Sequence, residues 1–559
     1  MMLKKRPIRL LSFLSGLCFA LPFLFRSALS APIAYFSGIP ALFLLFSYLT
    51  DGVKRRLTFY LRMGFYFGFG YHIGVYHWFL AMYPLDFIES LTPVTAALAV
   101  LVAHVGLSLV ASLCFTFIIP NVALFARTRT VRAHSMLLPP LFAAVFTVFS
   151  FLISLTFMGV PWGMLAITQV VLPPLAMTAS LLGGYLVTFI VVLVEGYLAL
   201  ALLCFLRARK SGMQTKKDAL RPAALPLLLA TAIFLANLAA GTALYLTPHK
   251  NVGEIRATLV QGNVSSRQKW NGEGESLYDR YDRIVSSLAD THSDLIVWSE
   301  TAITTSLDRT PLALGGKSVS AWLAELSQKT GAYQLVGAFT YEGTQDAPKS
   351  YNSLYLVRPD GSVSDTVYHK RHLVPFGEYV PWKSFINTVL PFMAELVLTN
   401  EFTAGTDSSI YTESALGGNI GALICFDSIY EPLARDSVRD GAELLVISTN
   451  DSWFDDSAAL YQHNAQAILR AIENGRCVLR AANTGISSVI TDKGVVVASL
   501  APNVEGTLTE TVPCYGYTTL YTAVGNLFIY LCIAALLCLP LPDFFGLIKK
   551  ARMAYHEHK

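Results

Sequence analysis

The sequence predicts an α-helical transmembrane bundle of about eight spans joined to an α/β domain outside the cytoplasm. Three observations predict this fold class. Hydrophobic residues make up 53% of the 559 residues and charged residues only 14%, which is too apolar for an ordinary soluble protein. The long uncharged runs lie before residue 247 or after residue 518. Between those limits, short strand patterns alternate with helical patterns, as is typical of an α/β sheet.

Eight apolar stretches meet the length of roughly 20 residues that a spanning helix needs. They cover about 8 to 25, 31 to 50, 57 to 82, 92 to 125, 135 to 157, 173 to 206, 223 to 246 and 519 to 542. Basic residues before the first stretch also fit a cleaved signal peptide, although no small-residue cleavage site leads into soluble sequence. We expect a seven-span membrane domain (1–248), an extracytoplasmic domain (249–515), and a final span with a basic tail (516–559).

Clusters of Lys and Arg in short loops favour the cytoplasmic side of a membrane. Such clusters lie near the N-terminus, around residues 54 to 56, 127 to 132 and 207 to 217, and in the tail after residue 548. With alternating spans they all fall on one side. Both termini are therefore expected in the cytoplasm. These loops also explain the net charge of +4, and no nucleic-acid partner is expected.

Three cysteines fall in the predicted outer domain: Cys425, Cys477 and Cys514. The other five lie in apolar spans, where packing is the simplest role. An odd number of cysteines in a compartment that forms disulfides leaves at least one thiol free. One of the three is therefore a candidate functional thiol.

Reactive side chains follow several of the predicted strands. Glu300 follows LIVWS, Lys370 follows VSDTVYH, Cys425 follows GALI, and Asn450 with Asp451 follows LLVIST. Functional residues of α/β sheets lie just past the carboxyl ends of strands. Position and residue type together predict a site at these strand ends.

A Glu, Lys and Cys set supports acyl transfer through a thioester. Cysteine attacks as the thiolate, so a base must take its proton. Glu300 suits that role if an apolar wall such as Trp298 raises its pKa. A cation such as Lys370 stabilises the oxyanion, a contribution of about 3 kcal/mol per donor. Taken singly, each of these residue types is more often structural.

Three strings carry a resemblance to a known family. WSETAI (298–303), YHKRHLVPFGEYVP (368–381) and ICFDSIYEP (424–432) resemble the Glu, Lys and Cys motifs of the nitrilase, or carbon–nitrogen hydrolase, superfamily. Within it, the match is closest to the apolipoprotein N-acyltransferase family and covers nearly the whole chain. The resemblance implies an α-β-β-α sandwich, with Glu300 as general base, Lys370 as stabiliser of the oxyanion and Cys425 as nucleophile.

The same resemblance implies further site residues. Glu378 in PFGE is assigned a supporting role, and Trp270 in VQGNVSSRQKW looks like a substrate-loop tryptophan. STNDSWF (448–454) is similar to a segment that lines the family's site, which adds Asn450 and Trp453 to the substrate-binding candidates beside Trp298.

The chain departs from the family pattern at three positions. Ser299, Phe426 and Asp427 stand where the family usually has Pro, Tyr and Glu. Phe426 and Asp427 are expected to support the nucleophile beside them. For four residues on a predicted helix and the turn after it, helical spacing favours a structural scaffold: His463, Arg470, Glu473 and Arg476.

By resemblance, the expected enzyme lies in a bacterial inner membrane with its catalytic domain on the periplasmic side. It moves a fatty acyl chain from a phospholipid to the N-terminal amine of the diacylglyceryl-cysteine of an apolipoprotein. No cofactor or metal is expected. The sequence does not fix the oligomeric state, for which a monomer is the simplest expectation. The apolar segment 383 to 403 fits either an amphipathic lid or a buried helix pair.

Two other classes of protein remain open from the sequence. A membrane-tethered amidase would use the same three residues and give the thioester to water. A non-catalytic transporter or scaffold would use the outer domain only for binding. Arg62 and Glu195 are the charged exceptions within the predicted spans, and such charges are functional candidates.

Overall fold

The computed structural model describes the chain except for residues 1–6, 86–90, 156–160, 212–214, 272–274, 345–346, 384–387, 389–400, 547, 549–554 and 556–559. The chain divides into two compact units. The first comprises Met1–Phe79, Leu101–Leu246 and Asn526–Lys559, and the second comprises Leu80–Val100 and Thr247–Gly525.

The region before residue 247 is helical. Its helices are α1 (Pro7–Phe19), α2 (Ser30–Ala34), α3 (Ile39–Leu49), α4 (Leu57–Val75), α5 (Pro93–Phe115), α6 (Ile118–Phe125), α7 (Arg129–Ala133), α8 (Leu138–Ser154), α9 (Pro173–Ala176), α10 (Ala179–Leu182), α11 (Gly184–Lys210) and α12 (Lys216–Leu246). The helix Leu527–Cys538 near the C-terminus also belongs to the first unit.

Among the described residues, six helical segments are long and apolar enough to cross a membrane: Ser30–Leu49, Pro93–Phe125, Ser135–Ser154, Gly184–Lys210, Lys217–Leu246 and Leu527–Gly546. Each coincides with one of the eight predicted stretches. The other two stretches contain α1, which has only 13 residues, and α4, which carries Arg62, His72 and four glycines. These residues lower the hydropathy of α4.

Glycines bring α1 and α4 into close contact. A Cβ on Gly70 of α4 would collide with the carbonyl oxygen of Phe13, and one on Gly16 of α1 would collide with that of Phe67. Small residues that let backbones approach are typical of helix packing in membranes. The glycines of α4 therefore serve helix packing.

The second unit contains two six-stranded sheets. The strands are β1 (Asn251–Gln261), β2 (Leu295–Val297), β3 (Tyr333–Thr344), β4 (Ala347–Val357), β5 (Val363–His369), β6 (Ile410–Tyr411), β7 (Ile420–Ile424), β8 (Leu444–Thr449), β9 (Val478–Ala482), β10 (Ser488–Ile490), β11 (Val496–Ser499) and β12 (Gly506–Tyr515). The first sheet has the order β12-β1-β2-β3-β4-β5, and the second has β11-β10-β9-β8-β7-β6.

Each sheet has a parallel centre and antiparallel edges. Strands β1, β2 and β3 are mutually parallel, as are β7, β8 and β9. The outer pairs, such as β12 with β1 and β3 with β4, are antiparallel. The parallel strands have near-continuous apolar sequences because both of their faces are covered. Glu300, Cys425 and Asn450 follow the parallel strands β2, β7 and β8, whereas Lys370 follows the edge strand β5.

Two apolar clusters cover the faces of the first sheet. One cluster joins residues of both sheets, including Leu259, Val297 and Leu354 from the first and Ile424 and Val446 from the second. The other lies between the first sheet and its helices and contains the residues Tyr281, Val285, Trp298, Trp322, Leu323 and Val336. The sheets therefore pack face to face.

Helices complete the layers. They are α13 (Ser266–Asn271), α14 (Leu277–Ser286), α15 (Val319–Thr330), α16 (Glu431–Arg439), α17 (Ala458–Asn474) and α18 (Leu520–Val524). Helices α14 and α15 contribute to the outer cluster of the first sheet, and α16 and α17 pack on the second. The α-β-β-α sandwich is confirmed. Most of the segment 383–403, expected to form either a lid or a buried helix pair, lies outside the described residues.

Candidate active site

Glu300 lies three residues past the end of β2, with its carboxylate buried. Oε1 accepts a hydrogen bond from Nδ2 of Asn352 at 2.8 Å and one from Nζ of Lys370 at 3.0 Å. Oε2 accepts the backbone N–H of Asn450 at 2.8 Å. Donors from within β4 and from the ends of β5 and β8 therefore fix this carboxylate in one orientation.

Lys370 is the residue after β5, and its ammonium is clamped by two carboxylates. Its Nζ lies 3.0 Å from Oε1 of Glu300 and 2.8 Å from Oε1 of Glu378. Glu378 is itself held, because its Oε2 accepts the backbone N–H of Val374 at 2.8 Å. Burial alone would lower the pKa of Lys370, but the two carboxylates raise it well above its usual value. Lys370 is therefore a permanent cation.

Cys425 is the residue after β7 and begins a short 3-10 helix, Cys425–Ile429. Its φ of 49° lies in the left-handed region, which is uncommon for residues other than glycine. Where this conformation does occur, it is found preferentially at functional sites. Burial raises the pKa of its thiol, the Glu300 carboxylate raises it further, and Lys370 opposes the rise. The resting thiol is thus protonated, and ionisation needs a base and positive charge nearby.

The two residues after the cysteine are buried and have different tasks. Phe426 packs with Tyr430 at a ring distance of 5.6 Å. Asp427 accepts three hydrogen bonds, from the Tyr368 hydroxyl at 2.8 Å, the His372 N–H at 2.7 Å and the Ile424 N–H at 3.0 Å. Asp427 therefore ties the strand end before Cys425 to the loop after Lys370.

A buried charged network lies behind the nucleophile. Asp451 contacts Nδ1 of His463 at 2.9 Å and NH2 of Arg480 at 2.7 Å. His463 in turn places Nε2 3.2 Å from the carbonyl oxygen of Cys425 and 3.1 Å from Oγ of Ser428. Burial alone would raise the pKa of Asp451, but Arg480 and His463 hold it well below its usual value. This network supports the backbone of the cysteine turn.

Potential metal ligands among the described residues include Cys425, Asp451 and His463, whose donor atoms lie within 4.8 Å of one another. Asp451 already forms an ion pair with Arg480, and the positive charge of Arg480 opposes the binding of a metal cation there. The three residues therefore fit a metal poorly.

An aromatic rim is joined to the loop that carries Glu378, because the backbone N–H of Phe402 donates to the backbone oxygen of Glu378 at 2.9 Å. We define it as Trp270, Phe339, Tyr341 and Phe402, which are linked by ring distances of 5.2 to 6.4 Å. The side chains of Trp270 and Tyr341 are 44% and 55% exposed. Exposed clustered aromatics offer an apolar surface to a ligand.

The structure corrects the expectation for Trp298. Its side chain is fully buried in the cluster between the first sheet and its helices, where it stacks on Tyr281 at 4.8 Å and donates to Oε1 of Gln334 at 2.8 Å. A packed and satisfied indole cannot contact a substrate. Trp298 is a core residue.

The other two substrate-binding candidates follow β8. Asn450 is buried, and its Oδ1 accepts a hydrogen bond from Asn483 at 2.9 Å, so its side chain holds the loop while its N–H holds Glu300. Trp453 is half-buried in the next turn. Nearby, Oγ of Ser452 lies 2.9 Å from Oγ of Ser266, which links this loop to α13.

Sequence reasoning missed two contacts to Glu300. Asn352 lies within β4 and has no motif to single it out. Lys269 precedes Trp270 in α13, is buried, and donates from Nζ to the backbone oxygen of Glu300 at 3.0 Å. Its presence in the string VQGNVSSRQKW was visible, but its inward direction was not, because α13 is too short for a periodic pattern.

Both parts of the chain match family models. Residues 256–518 match the carbon–nitrogen hydrolase model, and residues 15–197 match the apolipoprotein N-acyltransferase N-terminal domain. With the sandwich fold, these matches define the class: a carbon–nitrogen hydrolase domain joined to membrane helices.

Two relatives with similar sequences over most of the chain narrow the class. An apolipoprotein N-acyltransferase from Geobacter metallireducens is 30% identical over 540 residues, covering 94% of this chain and 93% of the relative. One from Brucella melitensis is 29% identical over 478 residues, covering 83% and 81%. The crystal structure of Saccharomyces cerevisiae Nit3, a member of branch 10 of the nitrilase superfamily, has 20% identity and a TM-score of 0.36, and the match covers 48% of this chain and 93% of Nit3. The chain belongs to the apolipoprotein N-acyltransferase family.

Proposed function

We propose that this membrane enzyme transfers a fatty acyl chain from a phospholipid to the N-terminal amine of a diacylglyceryl-cysteine apolipoprotein, through a thioester on Cys425. One observation carries the proposal: Cys425 lies in a left-handed turn, where the charges of the Glu300–Lys370 ion pair act on its thiol. Membership of the family supplies the substrate class.

In the first half-reaction, Glu300 takes the proton from the Cys425 sulfur. The thiolate attacks the ester carbonyl of the phospholipid, and Lys370 stabilises the oxyanion that forms. When the C–O bond breaks, the leaving alkoxide takes the proton back from Glu300 and departs as lysophospholipid. Glu378 and Asn352 act as supports, since they hold Lys370 and Glu300 by the hydrogen bonds described above.

The second half-reaction consumes the thioester. The α-amine of the acceptor attacks the thioester carbonyl and gives its proton to Glu300. The C–S bond then breaks, an amide is formed, and the thiolate regains its proton from Glu300. Because the lysophospholipid leaves before the acceptor attacks the acyl-enzyme, the enzyme follows a ping-pong scheme, and no step of it needs a cofactor.

The aromatic rim supports a lipid substrate. Trp270 and Tyr341 expose aromatic surface, and Lys269, the residue before Trp270, contacts the backbone of Glu300. This surface suits an acyl chain better than a small polar amide. We assign substrate binding to Trp270 and Trp453, and support of the nucleophile to Phe426 and Asp427.

The proposed arrangement in the cell follows the charge pattern of the sequence. The membrane domain is 1–248 and the catalytic domain 249–515, with the latter on the periplasmic side of a bacterial inner membrane. Residues 516–559 return the chain to the cytoplasm. The clusters of Lys and Arg in the cytoplasmic loops support this orientation.

Intact mass of the purified protein after mixing with phospholipid tests the proposal, with Cys425→Ala as control. The expected result is an added acyl mass that hydroxylamine removes, that the variant lacks, and that moves to a diacylglyceryl peptide when the peptide is added. No adduct with any phospholipid would contradict the thioester mechanism. An adduct that decays to free fatty acid without reaching the peptide would favour an amidase-like hydrolase.

A further inference from the structure

The site contains a second buried lysine that lacks the carboxylate clamp of the first. Lys269 is 7% exposed, and its Nζ donates to the backbone oxygen of Glu300. Among the described residues, Lys269 forms no ion pair, whereas Lys370 forms two. The charge of Lys269 interacts with both Glu300 and Cys425.

The remaining charges around Glu300 do not balance. Glu300 and Glu378 each carry a negative charge when ionised, and both share the single ammonium of Lys370. One net negative charge is left beside the thiol. Because a buried charge interacts strongly at low effective dielectric, that excess opposes ionisation of Cys425. Moving the thiol proton to Glu300 does not change the total.

We propose that Lys269 balances this charge: its ammonium offsets the second carboxylate of the Glu300–Lys370–Glu378 cluster and thereby favours the Cys425 thiolate. It acts as a positioning residue, since it touches Glu300 and not the reacting atoms. The charged form of Lys269 takes no part in the proton transfer, and the thiol proton still moves to Glu300. The inference deepens the proposed acyl transfer at the same site.

The contact to Glu300 adds a geometric role. The carbonyl that Lys269 holds belongs to the same residue as the proposed base, so the ammonium fixes the Glu300 backbone while Lys370 fixes the carboxylate. Burial lowers the pKa of Lys269 to about 7, while Glu300 and Cys425 oppose the decrease. Its charge therefore depends on the negative groups around it, and formation of a thiolate favours retention of the proton.

Other titratable groups lie near the same thiol. They are Glu300 after β2, Lys370 after β5, Asp451 after β8 and His463 on α17. Asp427 lies two residues further on, in the cysteine's own turn. Asp451 is matched by Arg480. Asp427 accepts bonds from two N–H groups and a hydroxyl, and its charge adds to the negative side. Because Lys370 is held by two carboxylates and Arg480 is paired with Asp451, Lys269 is the cation near this thiol whose charge can change when the thiol ionises.

The pH dependence of Cys425 alkylation tests this inference in the full-length purified protein. Iodoacetamide labelling is followed at the Cys425 peptide by mass spectrometry in wild type, Lys269→Met and Lys269→Arg. Lys329→Met, a surface change on α15, is the matched control. No lipid or peptide substrate is needed, so this test is independent of the acyl-transfer assay.

We expect Lys269→Met to move the midpoint of Cys425 labelling upward by about one pH unit or more, which corresponds to about 1.4 kcal/mol. Lys269→Arg keeps the charge, so its midpoint stays at or below that of wild type. An unchanged midpoint in Lys269→Met, or an upward shift in both variants, would overturn the proposal.

Labelling of buried Cys477 reports unfolding in the same samples. If Lys269→Met exposes Cys477, that variant is partly unfolded, and Cys425 labelling in Lys269→Arg alone tests the proposal. A permanent charge must then leave Cys425 at least as reactive as wild type at pH 8 to 9, and lower reactivity there would overturn the inference.

Discussion

Nζ of Lys370 lies 3.0 Å from Oε1 of Glu300 and 2.8 Å from Oε1 of Glu378, with only 1% of the lysine side chain exposed. One cation thus holds two carboxylates in a buried place. Asn352 reaches the same two carboxylates, at 2.8 Å and 3.4 Å. Removal of any member leaves the others with unmatched charge or unmet hydrogen bonds.

Lys370→Met is expected to slow acyl-enzyme formation by about 10²- to 10³-fold, the usual loss when one oxyanion donor is removed. Without the ammonium, the two nearby carboxylates repel each other, and this like-charge repulsion opposes ionisation of both at once. The pH at which the residual rate reaches half its maximum should therefore increase. Single-turnover acylation measured from pH 5 to 9 checks both effects.

The double variant Lys370→Met/Glu378→Gln separates charge from oxyanion stabilisation. Because it removes the second carboxylate, the pH profile should return toward that of wild type while the rate stays low. Recovery of the rate in the double variant would contradict the assignment of Lys370 to the oxyanion.

Asp451→Asn is expected to destabilise the catalytic domain by about 3–5 kcal/mol, because it leaves the fully buried Arg480 without its carboxylate. The thermal unfolding midpoint of the purified protein should fall clearly. Asp290→Asn at an exposed position is the matched control and should leave the midpoint unchanged. A midpoint equal to that of wild type would show that the network behind the nucleophile contributes little to stability.

Asp427→Asn is expected to cost about 1–3 kcal/mol, since one carboxylate oxygen that accepts a buried hydrogen bond becomes a donor. Burial raises the pKa of Asp427 to about 6, against the hydrogen bonds and Lys370, which lower it. The folded protein then binds a proton more tightly than the unfolded chain does. The stability that Asp427 contributes is present at low pH and is lost as pH rises through 6.

The difference in thermal midpoint between wild type and Asp427→Asn should therefore be larger at pH 5 than at pH 7.5. Buffers with matched ionic strength remove screening effects from the comparison. A difference that grows with pH would show that Asp427 is held by its partners mainly as the anion.

Trp270→Ala is expected to weaken phospholipid use through KM and to leave kcat nearly unchanged. The exposed ring stacks on Phe339 at 6.4 Å and offers binding surface without touching the nucleophile. We expect an increase in KM of about tenfold, equivalent to about 1.4 kcal/mol. Trp270→Phe keeps an aromatic ring and should recover most of the loss. A fall in kcat alone would place Trp270 in the chemical step.

The sequence by itself determined the class of fold and the strand ends that carry Glu300, Lys370 and Cys425, and the order of the layers came from the family resemblance. Hydrophobic runs report membrane helices and buried parallel strands because both must exclude polar residues. Long motifs such as HLVPFGEYVP also indicate the family to which the chain belongs. Positions such as Asn352 and Lys269 carry no such pattern.

Only the tertiary structure decided which of these side chains meet. Glu300 and Asn450 are 150 residues apart in the chain, yet the N–H of one holds the carboxylate of the other, because the two sheets pack face to face. The sequence also did not predict the direction in which a side chain points. Trp298, which was expected at the site, lies in the core, and Lys269, beside a predicted site tryptophan, points inward. Residue spacing reports local conformation, whereas the charge balance around Cys425 depends on which distant strand ends are brought together.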